Sequence, residues 1–261
     1  MSILELIARR SRLNAAAFSL PELLAEQALS QLPRKQRPAV HRLLVEHLGH
    51  RLLEDEPAPA ADYVATLLSH GMDLDRLVCS ILTETAVYLG DCWVNDALTF
   101  TEVTHAMGNL MQVTRDVTAI VPGAPQPAPS APRILLVRTP GEDHFYGMTV
   151  AAYRLRASGA LVRLDFSGDV AEICLTATSQ DFDAIGFSVG SDVSEPALGD
   201  TISKVRKATP DAMILVGGAA IERDRDMAQR AGADHAIVSD DELKDLFPDH
   251  FHPVEFWSIA R

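Results

Sequence analysis

Three short stretches of this chain carry residue types that could do chemistry. The first, Thr139-Pro140-Gly141-Glu142-Asp143-His144-Phe145-Tyr146-Gly147, sets one imidazole beside two carboxylates and three residues ahead of a glycine. Imidazole is a good ligand for a transition metal, and a ligating histidine usually gives its other ring N–H to a carboxylate. Either Glu142 or Asp143 can supply that carboxylate, and both stay open on sequence grounds. The second stretch, Ser188-Val189-Gly190-Ser191, offers a hydroxyl, and the third, Gly217-Gly218-Ala219-Ala220, offers two adjacent positions without a Cβ. Together with Gly147, those glycines let a ligand lie directly against backbone. Each stretch also has an ordinary reading: a solvated loop histidine, or a tight strand-to-helix turn.

The elements that must position these stretches follow from the hydrophobic pattern. From Arg133 onward, short apolar runs at 133–137, 161–166, 184–188, 213–216 and 235–238 alternate with helical segments at 147–158, 171–178, 195–208 and 223–231. Five strands with intervening helices predict a doubly wound parallel sheet, flavodoxin-like (Rossmann-type), with strand order 2-1-3-4-5. Ligands on such sheets bind beyond the carboxyl ends of the strands, where the winding reverses. Here that point lies between the first and third strands, so the loops after Val137 and Phe187 are the ones to inspect.

Upstream, the pattern is helical. Capping boxes open helices at Ser19-Leu20-Pro21-Glu22 and at Thr99-Phe100-Thr101-Glu102, and further helices are expected at 38–54, 60–70 and 73–90. Short connections between them predict an antiparallel bundle. Between the halves lies Val121-Pro-Gly-Ala-Pro-Gln-Pro-Ala-Pro-Ser-Ala-Pro132, in which proline fixes φ and removes amide donors, giving an extended spacer. The expected layout is therefore a helical cap at 1–120 (with an extension at 1–35), a linker at 121–132, an α/β domain at 133–247 and a tail at 248–261.

Charge and composition exclude several classes. A formal net charge of −13 over 261 residues argues against a large nucleic-acid surface, which needs clustered Lys and Arg. Three cysteines without paired spacing indicate neither a disulfide framework nor a zinc site. No uninterrupted apolar run is long enough to span a bilayer, and the first residues lack a cleavage pattern, so a cytoplasmic location is expected.

The three stretches, in this order and each after the matching strand, resemble the cobalamin-binding domains of methionine synthase, the B12 mutases and the corrinoid proteins. Those carry Asp-x-His-x-x-Gly after strand one, Ser-x-Leu or a relative after strand three, and Gly-Gly after strand four. Here Glu142-Asp143-His144-Phe145-Tyr146-Gly147, Ser188-Val189-Gly190 and Gly217-Gly218 take those places. Two positions depart from the pattern: the aspartate is Glu142, and the leucine is Gly190. The resemblance implies a cobalamin (adenosyl-, methyl- or hydroxocobalamin) bound base-off, with His144 as the lower axial ligand of cobalt. It implies that Ser188 meets the displaced benzimidazole and that Gly147, Gly217 and Gly218 border the nucleotide tail.

The helical half is similar to the cap of methionine synthase and of the B12-dependent photoreceptor regulators, in which a tryptophan and a Glu-His pair sit above the corrin. Trp93 matches the tryptophan, with bundle core as its other reading. Glu102 and His105 do not reproduce the spacing of the pair, and Glu102 also serves the Thr99 capping box. His105, Asn109 and Gln112 share a helix face that is either solvent or turned to the cofactor. The overall layout resembles the AerR/PpaA antirepressor group. That likeness implies a regulator that is not itself an enzyme, acting through a DNA-binding transcriptional repressor under the control of light. The rival readings are a corrinoid methyl carrier serving a methyltransferase, and a haem-binding sensor in which His144 ligates iron.

Overall fold

The computed structural model describes residues 37–119, 130–143, 145–190 and 192–247. The helix expected from Ser19, the linker at 121–129, His144, Ser191 and the tail at 248–261 lie outside the described residues. The chain divides into two compact units, Met1–Val121 and Pro122–Arg261.

The first unit consists of helices α1 (Arg37–Leu52), α2 (Ala58–Ser69), α3 (Leu74–Val94) and α4 (Phe100–Thr118). Apolar residues at three- and four-residue spacing meet inside: Leu44, Leu48 and Leu52 of α1, Ile81, Leu82 and Leu89 of α3, and Leu110, Val113 and Val117 of α4 are all buried. Helix α3 begins at Asp73, whose carboxylate accepts the Arg76 amide at 3.0 Å. Between Leu77 and Leu82 it widens into a π-helical turn, stabilised by the Thr83 hydroxyl donating to the Val78 carbonyl at 3.0 Å. The wider turn brings Leu77, Val78, Ile81 and Leu82 all onto the buried side. Helix α3 runs four residues past its expected end at Gly90. By length and composition its 21 residues could cross a membrane, although polar residues interrupt it and 33% of its most apolar window is buried inside the protein. The expectation of no spanning stretch thus holds for uninterrupted runs and not for this helix as a whole.

The second unit contains β1 (Arg133–Arg138), α5 (Tyr146–Ala157), β2 (Leu161–Asp165), α6 (Val170–Ala177), β3 (Ala184–Ser188), α7 (Glu195–Ala208), β4 (Met213–Gly217), α8 (Ala219–Arg223), α9 (Asp226–Arg230), β5 (His235–Ile237) and α10 (Asp240–Leu246). The strands pair in parallel in the order β2-β1-β3-β4-β5, as expected from the sequence. Leu135, Val137, Ile185, Phe187, Ile214 and Val216 face one layer, built from α6, α7, α8 and α9. Ile134, Leu136, Ala184 and Leu215 face the other, packed by Leu155 of α5, Leu243 and Leu246 of α10, and Phe247. Helices on both faces cover a sheet whose inner strands are largely apolar on both sides, the usual condition for parallel pairing. Two details differ from expectation. The helix expected at 223–231 is broken between Arg223 and Asp226, and α10 was not anticipated, its Asp-Asp-Glu-Leu-Lys-Asp-Leu sequence being mostly polar.

The Thr99 box is formed on both sides: the Glu102 amide donates to the Thr99 hydroxyl at 3.3 Å, and the Thr99 amide donates to the Glu102 carboxylate at 2.8 Å. Hydrogen bonds from the Thr99 hydroxyl and amide hold the Glu102 carboxyl below the usual carboxylate range. Thr99→Ala should therefore lower stability by about 1 kcal/mol. Urea unfolding of the full chain, followed by far-ultraviolet circular dichroism, reads this as a lower midpoint. An unmoved midpoint would assign the start of α4 to packing alone.

Candidate functional site

The carboxyl ends of β1 and β3 are joined by a polar contact that the sequence did not reveal. Thr139, fully buried, donates its hydroxyl to the Ser188 carbonyl at 2.7 Å. The chain then reverses through Pro140-Gly141, with Gly141 at φ +83 and the Glu142 amide donating to the Thr139 carbonyl at 3.0 Å. Proline followed by a positive-φ glycine is the signature of a type II turn. That turn sends the two neighbouring carboxylates opposite ways. Glu142 is withdrawn completely from solvent, whereas the Asp143 side chain is 93% exposed and lies 3.7 Å from the Arg138 guanidinium.

Glu142 fills the space in front of Gly190. A Cβ built at Gly190 would overlap the Glu142 carboxylate, so the absence of a side chain there is what admits the glutamate. Glu142 on the β1 loop and Gly190 on the β3 loop are therefore one packing unit, the acid occupying the place that a side chain at 190 would take. His144 itself lies outside the described residues. Immediately after it, Phe145 and Gly147 are exposed, and a Cβ at Gly147 would meet nothing within 4 Å.

Ser188 is half-buried at the end of β3, in register with Arg138 and Gly217 on the sheet face packed by α5 and α10. Gly218 has φ +115, and a Cβ there would come within 2.6 Å of the Val189 carbonyl oxygen. The Val189 amide donates to the Gly217 carbonyl at 2.8 Å, and the Ala220 amide donates to the Val189 carbonyl at 3.2 Å. Gly217-Gly218 thus has a structural requirement of its own, locking the β3 and β4 loops together, independent of any ligand. On this face Gly186, Ser188 and Gly217 are the small residues near the carboxyl ends of β3 and β4, with Leu136 packed over Gly186 and Arg138 beside Ser188.

Sequence reasoning also missed the loop after β2. Asp165, nearly buried, accepts the Ser167 amide at 2.8 Å. Burial pushes its carboxyl up, but hydrogen bonds from Ser167 and Thr176 and the charge of Arg163 outweigh this and leave it below the usual carboxylate range. The Phe166 ring packs edge-to-face on Phe145, with centroids 5.7 Å apart. An exposed aromatic following a strand was the available signal.

In the helical unit, Trp93 is 44% exposed and packs edge-to-face on Phe100 at 6.2 Å, so it is not part of the bundle core. His105 Nε2 lies 2.9 Å from the Glu54 carbonyl oxygen, and the Asn109 amide donates to the carbonyls of Leu52 and Glu54 at 3.0 and 3.1 Å. Of the face that sequence left as solvent or cofactor, His105 and buried Asn109 therefore tie α4 to the carbonyls at and just beyond the end of α1, whereas the Gln112 amide donates to the Asp116 carboxylate on its own helix at 2.9 Å. Among the described residues, no three His, Cys, Asp or Glu side chains converge as a metal-binding group.

This doubly wound fold, with a helical unit ahead of it, is shared with a solved corrinoid protein. The monomethylamine corrinoid protein of Methanosarcina barkeri aligns over 79% of this chain and 97% of its own, at 15% identity and a TM-score of 0.56. A cobalamin-binding protein of Desulfitobacterium hafniense DCB-2 aligns over 80% of this chain and 98% of its own, at 14% identity and a TM-score of 0.41. By sequence, an uncharacterized 20.5 kDa protein in the bchF-crtJ intergenic region of Rhodobacter capsulatus is 25% identical over 169 residues, covering 64% of this chain and 87% of that protein. No family model matches the chain.

The packing of Glu142 into the space at Gly190 is testable without a ligand. Gly190→Ala should cost about 2 kcal/mol through overpacking. In a Glu142→Ala background the same substitution should cost much less, because contacting residues couple. A double-mutant cycle by urea denaturation measures this, and additive losses would show that the two residues do not share the space.

Proposed function

We propose that this protein binds a cobalamin base-off on its sheet unit, with His144 as the lower axial ligand of cobalt. We further propose that it works as a light-responsive antirepressor acting on a DNA-binding repressor protein. The observation that carries the first part is the loop cluster at the β1–β3 switch point. There an inward carboxylate (Glu142), an open glycine (Gly147) and a half-buried serine (Ser188) stand on the loops and strand ends that adjoin one another. Of the two candidate acids, Glu142 is the one drawn inside, and it is the better placed to supply a carboxylate that histidine and cofactor would share away from water. Asp143, exposed beside Arg138, is a surface charge. The fold shared with a corrinoid protein supports the same reading.

The regulatory part rests on the resemblance to the antirepressor group, on the Rhodobacter capsulatus relative encoded between bchF and crtJ, and on the net charge of −13. An acidic chain is poorly matched to DNA and acts more readily through a protein partner. When bound, an alkylcobalamin supplies a cobalt–carbon bond that light breaks; the protein supplies orientation and readout. Trp93 and Phe100, both exposed in the helical unit, are the residues proposed to read the upper ligand. A role for His105 above cobalt would require its contact with Glu54 to open first.

Two measurements test this. Purified protein mixed with hydroxocobalamin should give a base-off, histidine-ligated absorption spectrum, and His144→Ala should abolish that spectrum or weaken binding strongly. Unchanged affinity and spectrum in the variant would remove His144 from cobalt, and a haem spectrum in the protein as isolated would replace the cofactor.

For the regulatory part, repressor binding by the alkylcobalamin-loaded protein should differ between darkness and light by about tenfold, which needs only about 1.4 kcal/mol of differential affinity. Equal binding would end the photoreceptor reading. Methyl transfer to or from cobalt by a partner enzyme would establish the corrinoid methyl carrier instead.

A further inference from the structure

The last residue of β1, Arg138, is half-buried and spends its guanidinium on the backbones of two different loops. Its Nη1 donates to the Glu142 carbonyl at 2.8 Å, in the loop after β1. Its Nε donates to the Phe166 carbonyl and its Nη2 to the Ser167 carbonyl, each at 2.9 Å, in the loop after β2. The group is seated against Gly168, which has φ +62 and where any Cβ would stand 2.6 Å from Nη2. The Asx turn from Asp165 to the Ser167 amide fixes the receiving loop. Above this tie, the Phe145 and Phe166 rings close the same gap edge-to-face, at an interplanar angle of 72° with both rings more than a third exposed.

A planar guanidinium with donors in a fixed fork can hold three carbonyls at once, whereas an ammonium acts as a single point charge. The acceptors are backbone oxygens, so the tie fixes main-chain position on both sides and does not merely pair side chains. No titratable partner is needed for it: the Asp143 carboxylate, at 3.7 Å and almost fully exposed, adds little.

We propose that Arg138 is a positioning residue of the cofactor site. Its guanidinium locks the β1 and β2 loops into one ledge before any ligand arrives, and the Phe145–Phe166 pair on that ledge is an apolar contact for the rim of the macrocycle. This rests on the cobalamin reading for the identity of the ligand, but the lock itself is a property of the apoprotein. Rigid placement of the loop that bears the axial ligand removes an ordering cost from binding.

The test uses the full-length chain and three variants, Arg138→Gln, Arg138→Lys and Gly168→Ala; the last displaces the guanidinium without removing it. Amide hydrogen exchange on the apoproteins should be faster at both the 139–143 and 166–168 segments in Arg138→Gln and Gly168→Ala, with Arg138→Lys in between. Hydroxocobalamin affinity should fall by about tenfold or more, equivalent to about 1.4 kcal/mol. The fraction of bound cofactor showing the histidine-ligated spectrum should fall as well, which a general loss of stability would not produce. Phe166→Ala should weaken cofactor binding while leaving the 139–143 amides protected. Unchanged exchange in both loops would overturn the lock. Faster exchange with unchanged affinity and spectrum would overturn its role in positioning. If the wild-type chain takes up no cobalamin, the cofactor reading and the ledge's ligand fall together, and exchange alone still decides the lock.

Discussion

At the carboxyl end of the sheet, the arrangement follows from a carboxyl group driven out of water. The turn at Pro140-Gly141 leaves the Glu142 side chain no route but inward, and Gly190 leaves room for it. Burying a carboxyl group is costly, and the backbone around this one is held by hydrogen bonds to main-chain oxygens. The Thr139 bond to the Ser188 carbonyl and the Arg138 bond to the Glu142 carbonyl hold that backbone from two sides. The β3 loop is in turn held to the β4 loop through Val189, Gly217 and Gly218. Four consecutive loops are thus one connected body, and the site is as rigid as its least tied member.

The doubly wound fold was legible because every strand is a short apolar run and the helices between them carry recognisable periodicity. Strand order followed from the rule for such sheets, and the three motif loops fell where that order puts a crevice. The direction of the two acids was not legible. Glu142 and Asp143 are adjacent and equally polar, and which faces inward is decided only once the Pro140-Gly141 turn has formed and Gly190 lies opposite. Arg138 was equally hidden, because a guanidinium that binds backbone carbonyls leaves no signature in the identity of its partners. Helix α10 escaped notice because only Leu243 and Leu246 of its seven residues are apolar, and these pack on the sheet only once the strands are assembled.

In the helical unit, sequence gave the capping box at Thr99 and the helices, but not the use of the polar face on α4. Asn109 was grouped with His105 and Gln112 as solvent- or ligand-facing. Instead it donates to the Leu52 carbonyl, which the end of α1 leaves open, and to the Glu54 carbonyl just beyond, with His105 beside it. Polar side chains on a buried helix face are as readily structural as functional, and periodicity alone does not separate the two.

The π-helical turn at Leu77–Leu82 carries a consequence for the far end of α3. A π turn is one residue wider than an α turn, so it resets the phase of every position after it. Winding the same residues at a uniform α pitch would rotate all that follows by about 100° about its axis. Trp93 would then point a quarter-circle away from Phe100, with no change in its own sequence surroundings. The azimuth of the tryptophan is written eleven residues upstream of it, in a counting irregularity of the backbone.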